Sequence, residues 1–125
     1  MAIQKILIVD DSPTERYYLT DILVKNGFSV STAENGEDAL LKIRADRPEL
    51  ILMDVVMPGA NGFQVTRSIA RDPDLSSVPV IICSSKNQET DRIWGMRQGA
   101  QDYFVKPVDP QRLLARIAAL AALGA

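Results

Sequence analysis

The stretch ILIVDDS, residues 6–12, decides the fold. Four apolar residues, Ile6 to Val9, run straight into two adjacent carboxylates, Asp10 and Asp11. A short, unbroken apolar run marks a strand buried on both faces, as strands of parallel sheets are. Two negative charges at its end demand a counterpart. Behind them, Ser12 can cap a helix and Pro13 can occupy its first turn, where a missing N–H costs nothing.

The same alternation continues outward from this point. Residues 29–33 (SVSTA), 49–56 (ELILMDVV), 78–85 (VPVIICSS) and 102–107 (DYFVKP) read as strands. Between them the apolar residues take helical spacing. Leu19, Ile22 and Leu23 share one face of a helix that Gly27 stops, and Ala39, Leu40 and Ile43 share a face within residues 36–46. Residues 62–71 and 90–98 are helical, the latter closed by Gly99. Leu113, Leu114, Ile117 and Leu120 define a last helix over 110–123. Five strands alternating with five helices predict a single doubly wound (βα)5 domain, a flavodoxin-like three-layer α/β sandwich. With right-handed crossovers, its parallel strand order is 2-1-3-4-5.

Composition narrows the chemistry. The chain has 125 residues, 46% hydrophobic, and a formal net charge of −2, which argues against a nucleic-acid or anionic-membrane surface. No apolar run approaches the roughly 18 residues of a membrane span, and the first residues lack the pattern of a signal peptide. The single cysteine, Cys83, excludes an internal disulfide and reads as a small core residue. A soluble cytoplasmic protein that binds neither membrane nor nucleic acid is therefore expected. Histidine is absent, so acid–base, nucleophilic or zinc chemistry based on it is excluded.

In this sheet the strand ends converge. Asp10 and Asp11 end the first strand, Asp54 the third, Ser84 and Ser85 the fourth, and Lys106 the fifth. Neighbouring strands lie about 4.8 Å apart, so these groups should meet in one crevice. Each close carboxylate pair costs on the order of 4 kcal/mol at an effective dielectric near 20, so a proton, the Lys106 ammonium or a cation must offset it. An all-oxygen acidic site suits Mg²⁺. Opposite it, a hydroxyl and an ammonium could receive phosphoryl oxygens, with Asp54 as a carboxylate nucleophile. Taken singly, each residue is more often ordinary: a capping turn, a loop serine, a solvated lysine. The constellation reverses that reading.

The segments LIVDDS, LILMDVVMPGANG, VIICSSK and YFVKP, in order and in register, resemble the receiver domain of two-component response regulators, the CheY-like family. The segments SPTE and QETDRIWGMRQGAQDY look most like PilH-type regulators of twitching motility. The resemblance implies that Asp54 is the phosphoacceptor. It also implies that Asp11, Asp54 and the Val56 carbonyl bind Mg²⁺ directly, with Asp10 acting through water. Lys106 would pair with the phosphoryl oxygens, and Ser84 and Tyr103 would form the switch, the ring turning inward as the hydroxyl moves. Lys106–Pro107 would be cis.

The implied function is a stand-alone response regulator in a phosphorelay, spanning 1–125 with no output domain, monomeric, and not an enzyme beyond its own phosphorylation and dephosphorylation. It would take phosphate from a CheA-like sensor histidine kinase. A downstream protein would bind the face made by the fourth helix, fifth strand and fifth helix; alternatively, the chain would drain phosphate from a shared kinase. A Mg²⁺-dependent phosphatase with an aspartate nucleophile is the rival from another class. It would want a second carboxylate two residues after the nucleophile, where Val56 stands. A flavin module fits worse, because DDSPTE sets carboxylates where a flavin phosphate would lie. Gly59 and Gly62 are expected as backbone devices of the loop after Asp54. Trp94 is expected partly exposed, at an interface.

Overall fold

A computed structural model describes residues 2–123. The elements alternate as β1 (Lys5–Val9), α1 (Pro13–Lys25), β2 (Ser29–Ala33), α2 (Gly36–Ala45), β3 (Leu50–Met53), α3 (Gly62–Arg71), β4 (Val80–Ser84), α4 (Glu89–Arg97), β5 (Asp102–Val105) and α5 (Pro110–Leu123). The strands form one parallel sheet in the order β2-β1-β3-β4-β5, as the alternation predicts.

Strand periodicity divides the core into two layers. Ile6 and Ile8 of β1, with Leu50 and Leu52 of β3, face α1 and α5 and pack with Leu19, Leu23, Leu113 and Ile117. Leu7, Val9, Ile51 and Met53 face the other way and pack with Ala39, Ile43, Val65 and Ile69 of α2 and α3. Successive residues of one strand therefore anchor helices on opposite sides, which is why these strands are apolar without interruption. Cys83 lies in the α1–α5 layer.

Local signals set the helix starts. Ser12 Oγ accepts the backbone N–H of Glu15 at 3.3 Å, and Pro13 sits in the first turn of α1. Asn35 and Asn61 cap α2 and α3 in the same way.

Two details depart from the sequence reading. Strand β3 stops at Met53, and the segment expected to continue through Val56 leaves the sheet. Asp54 N–H makes the last ladder bond, to Val9 O at 2.8 Å; then Val55 O accepts Gly62 N–H at 2.8 Å, which pulls the chain toward α3. Val55 is apolar because it is buried in a small cluster with Phe63, Ile82, Ala100 and Tyr103, not because it is strand. The second departure concerns α4. Helical spacing would turn Ile93 or Met96 inward, but Gly95 is its buried residue, and Ile93, Trp94 and Met96 are all exposed. A methyl group at Gly95 would come within 2.9 Å of Ile82 Cδ1 and 3.1 Å of Tyr103 Cδ2. The helix lies close on the sheet because its inward residue has no side chain.

Candidate functional site

The carboxyl edge of the sheet gathers the charged groups. Asp10, one residue beyond β1, is held by its N–H on Ala33 O of β2 at 3.0 Å, and its Oδ1 accepts the N–H of Ser12 at 2.9 Å. Asp54, one residue beyond β3, is fixed by its bond to Val9. Both carboxylates are nearly buried, at 2% and 6% exposure, whereas Asp11 beside them is exposed. One carboxylate oxygen from each of Asp10, Asp11 and Asp54 lies within 4.8 Å of the others.

Lys106 completes the group. Its backbone N–H donates to Ser84 O at 2.9 Å, which seats it beside the end of β4. The Lys106–Pro107 peptide bond is cis. From there Lys106 Nζ reaches Asp10 Oδ2 at 2.8 Å and Asp54 Oδ1 at 3.2 Å. One ammonium thus bridges two buried carboxylates, with the third exposed alongside.

The electrostatics follow from that count. Burial, and then the charge of Asp10, push the Asp54 carboxyl above its ordinary range, and the Lys106 ammonium offsets only part of this. Burial works against the charge on Lys106, yet its hydrogen bond to Asp10 and the charges of Asp10 and Asp54 together raise its pKa. The crevice still carries more negative charge than Lys106 neutralises. An acidic, all-oxygen donor set of this kind fits a hard divalent cation, so the chemistry of the residues agrees with the sequence expectation. Asp10, Asp11, Asp54 and Lys106 are therefore brought together, and Val56 lies at the rim with 60% exposure.

Ser84 and Tyr103 form a second group beside the first. Ser84 is fully buried, and its Oγ accepts the N–H of Lys86 at 3.1 Å. Tyr103 is also buried, and its hydroxyl donates to Lys86 O at 2.8 Å. The tyrosine expected to swing inward thus already lies inward. Two side chains hold one residue of the β4–α4 loop by opposite ends of its backbone. Burial pushes the Tyr103 phenol up.

Two contributors escaped the sequence reading. Arg16, one turn into α1, donates from Nη1 to Asp10 O at 2.8 Å and pairs with Glu34 at 3.3 Å. Glu15 buries its Oε2 without a hydrogen-bond partner among the described residues. Neither carries a local signal beyond helix position. Gly62, expected both as a backbone device and as the start of the helix over 62–71, is the first residue of α3, where a methyl group would lie 1.9 Å from Asp54 O. Only a glycine lets α3 start against the carbonyl of Asp54.

Known proteins match this arrangement over nearly the whole chain. The family model described as response regulator receiver domain covers residues 6–118. Protein PilH of Pseudomonas aeruginosa is 55% identical over 118 residues, which are 94% of this chain and 98% of that protein. The DNA-binding response regulator MtrA of Mycolicibacterium smegmatis is 39% identical over 93% of this chain, which spans half of that longer protein. Among solved structures, chemotaxis protein CheY4 of Vibrio cholerae superimposes with a TM-score of 0.86 at 30% identity, covering 94% of this chain and 98% of that one. CheY in the CheX–CheY–BeF3–Mg complex of Borrelia burgdorferi gives 0.86 at 28%, covering 94% and 88%.

Proposed function

Because the chain belongs to the response regulator receiver domain family, we propose that Asp54 accepts a phosphoryl group from a phosphohistidine of a sensor histidine kinase. The observation that carries this reading is the Lys106 bridge: one ammonium within 3.2 Å of the nucleophile, in a crevice that remains net negative.

An oxygen of Asp54 attacks phosphorus in line with the bond to the histidine nitrogen. The new P–O bond forms as the P–N bond breaks, and the imidazole of the kinase leaves with the bonding electrons and takes a proton. Lys106 needs only a small movement from Asp54 toward the phosphoryl oxygens, and it keeps Asp10 as its second partner. Asp11, Asp54 and the Val56 carbonyl would hold Mg²⁺ directly and Asp10 through water. That ion supplies charge neutralisation for the incoming phosphoryl group. The beryllofluoride and Mg²⁺ in the Borrelia complex support this reading.

The second half of the function is the readout. The Ser84 hydroxyl, now an acceptor for Lys86 N–H, is the donor within the crevice for a phosphoryl oxygen on Asp54. Turning to it releases one end of the Lys86 backbone, while Tyr103 holds the other. Such a change biases a two-state loop and with it α4, altering the α4–β5–α5 face offered to a downstream protein. The 55% identity to Protein PilH supports the expected role in control of twitching motility. A phosphatase reading is disfavoured because exposed, apolar Val56 stands where its second carboxylate would be needed.

The test is incubation with Mg²⁺ and acetyl phosphate, followed by intact mass. One added phosphoryl group, absent in Asp54→Ala, supports the assignment. An added group that persists in Asp54→Ala places the acceptor elsewhere and overturns it.

A further inference from the structure

A groove between α3 and α4 is walled by Arg67 and Arg71 from one helix and by Trp94, Arg97 and Gln98 from the other, around a cavity of about 360 Å³. It uses none of the residues of the carboxylate crevice. In a chain of net charge −2, three arginines line this one groove. Among the described residues, arginine ion pairs are made by Arg16, Arg44, Arg92 and Arg116, and none by these three. The acid nearest along α4, Asp91, accepts the N–H of Gln88 at the helix start. Gln98, 8% exposed, closes one end of the cavity.

The spacing makes these groups one surface. Arg67 and Arg71 lie one turn apart on α3; Trp94 and Arg97 lie three residues apart on α4, and Gln98 caps its end. Guanidinium forks match the two oxygens of a carboxylate. An indole exposed to 48% offers an apolar seat beside them. Tryptophan and arginine are the residue types that most often dominate binding at protein interfaces. The arginines are exposed, so the groove cannot enclose a small ligand as deeply as such sites require. A protein segment brings its own cover. Nucleic acid calls for a broader basic surface than three arginines on an acidic chain.

We propose that the α3–α4 groove docks an acidic segment of a partner protein, with carboxylates for Arg67, Arg71 and Arg97 and an apolar side chain against Trp94. The test is selection of phage-displayed random dodecapeptides on the wild-type chain, with counter-selection on the triple variant Arg67→Gln, Arg71→Gln, Arg97→Gln. The expected peptides are enriched in Asp and Glu over the unselected library. As synthetic peptides they change Trp94 fluorescence, lose at least about tenfold in affinity on the triple variant, and weaken as salt is raised. Circular dichroism checks that the variant is folded, and Arg71→Gln alone serves in its place if it is not. Selected peptides without acidic enrichment, or equal binding to the arginine variants, would overturn the proposal. Tighter binding of single-stranded oligothymidine than of any selected peptide would overturn it in favour of nucleic acid.

Discussion

Replacing Lys106 by methionine isolates the electrostatics of the crevice. The substitution keeps the aliphatic stem and removes an ammonium that lies 2.8 Å from Asp10 and 3.2 Å from Asp54. The two buried carboxylates then face each other. At an effective dielectric near 20 and a separation of about 4 Å, their repulsion costs roughly 4 kcal/mol. The pair can escape by taking up one proton. At pH 7, for a carboxyl with an ordinary pKa near 3.9, that costs about 1.4 kcal/mol per pH unit, again roughly 4 kcal/mol in all. The two routes cap the loss at a similar value, so the variant should be about 3–4 kcal/mol less stable at pH 7. The sign with pH is definite. The folded pKa of Asp54 is already raised. Such a group contributes its full stability below its unfolded pKa and loses it as pH rises through the folded one. Without Lys106 that folded pKa climbs further. The gap between variant and wild type should therefore be smallest near pH 4 and widen by up to about 1.4 kcal/mol per pH unit toward neutrality. Urea unfolding followed by circular dichroism from pH 4.5 to 8 measures it. A gap that is constant across this range would mean that Lys106 contributes packing alone, and the charge account would be wrong.

Four further outcomes are expected. Gly62→Ala should be among the most damaging single-methyl additions in the chain, costing about 3 kcal/mol or more, because the methyl would lie 1.9 Å from Asp54 O; an unchanged thermal midpoint would refute the close approach. Cys83 is buried, and burial pushes its thiol up to about 12, so it should resist thiol reagents at pH 8 and label only as fast as the protein opens; rapid labelling would contradict its place in the core. Mg²⁺ should stabilise the chain by about 2.7 kcal/mol at a hundredfold excess over its Kd, and Asp11→Asn, at an exposed position, should abolish this while sparing basal stability. Val56→Asn adds a hydrogen-bonding group at the rim of the crevice and should change the lifetime of phosphorylated Asp54, read by loss of label with time; unchanged decay would show that no water is oriented from that position.

The sheet order was legible because buried parallel strands write themselves as unbroken apolar runs, and the carboxyl edge was legible because Asp10, Asp54, Ser84 and Lys106 each follow such a run directly. Strand length was less so: Val55 and Val56 prolong the apolar run past the last ladder bond, and nothing local distinguishes a residue buried in a loop from one buried in a strand. The hold of Ser84 and Tyr103 on Lys86 was hidden for a different reason. It is a pair of bonds to backbone atoms, which have no sequence signature. Arg16 was hidden likewise, since its partner in the crevice is a main-chain carbonyl. The groove between α3 and α4 brings together arginines that neither helix marks as related.

The glycine foothold of α4 separates what the helix does for folding from what it shows to the outside. A helix fixed by leucine knobs can be displaced only by emptying their sockets, at several kcal/mol each. Here there is no knob at the point of contact, and the large side chains Ile93, Trp94 and Met96 all face outward. Displacing the helix along the sheet thus forfeits fewer interlocked contacts, and a driving force the size of one or two hydrogen bonds counts against what remains. The outward residues, for their part, can be exchanged at little cost to the core. The same scaffold can then be fitted to different listeners by rewriting a few surface positions, leaving its stability and its crevice as they are.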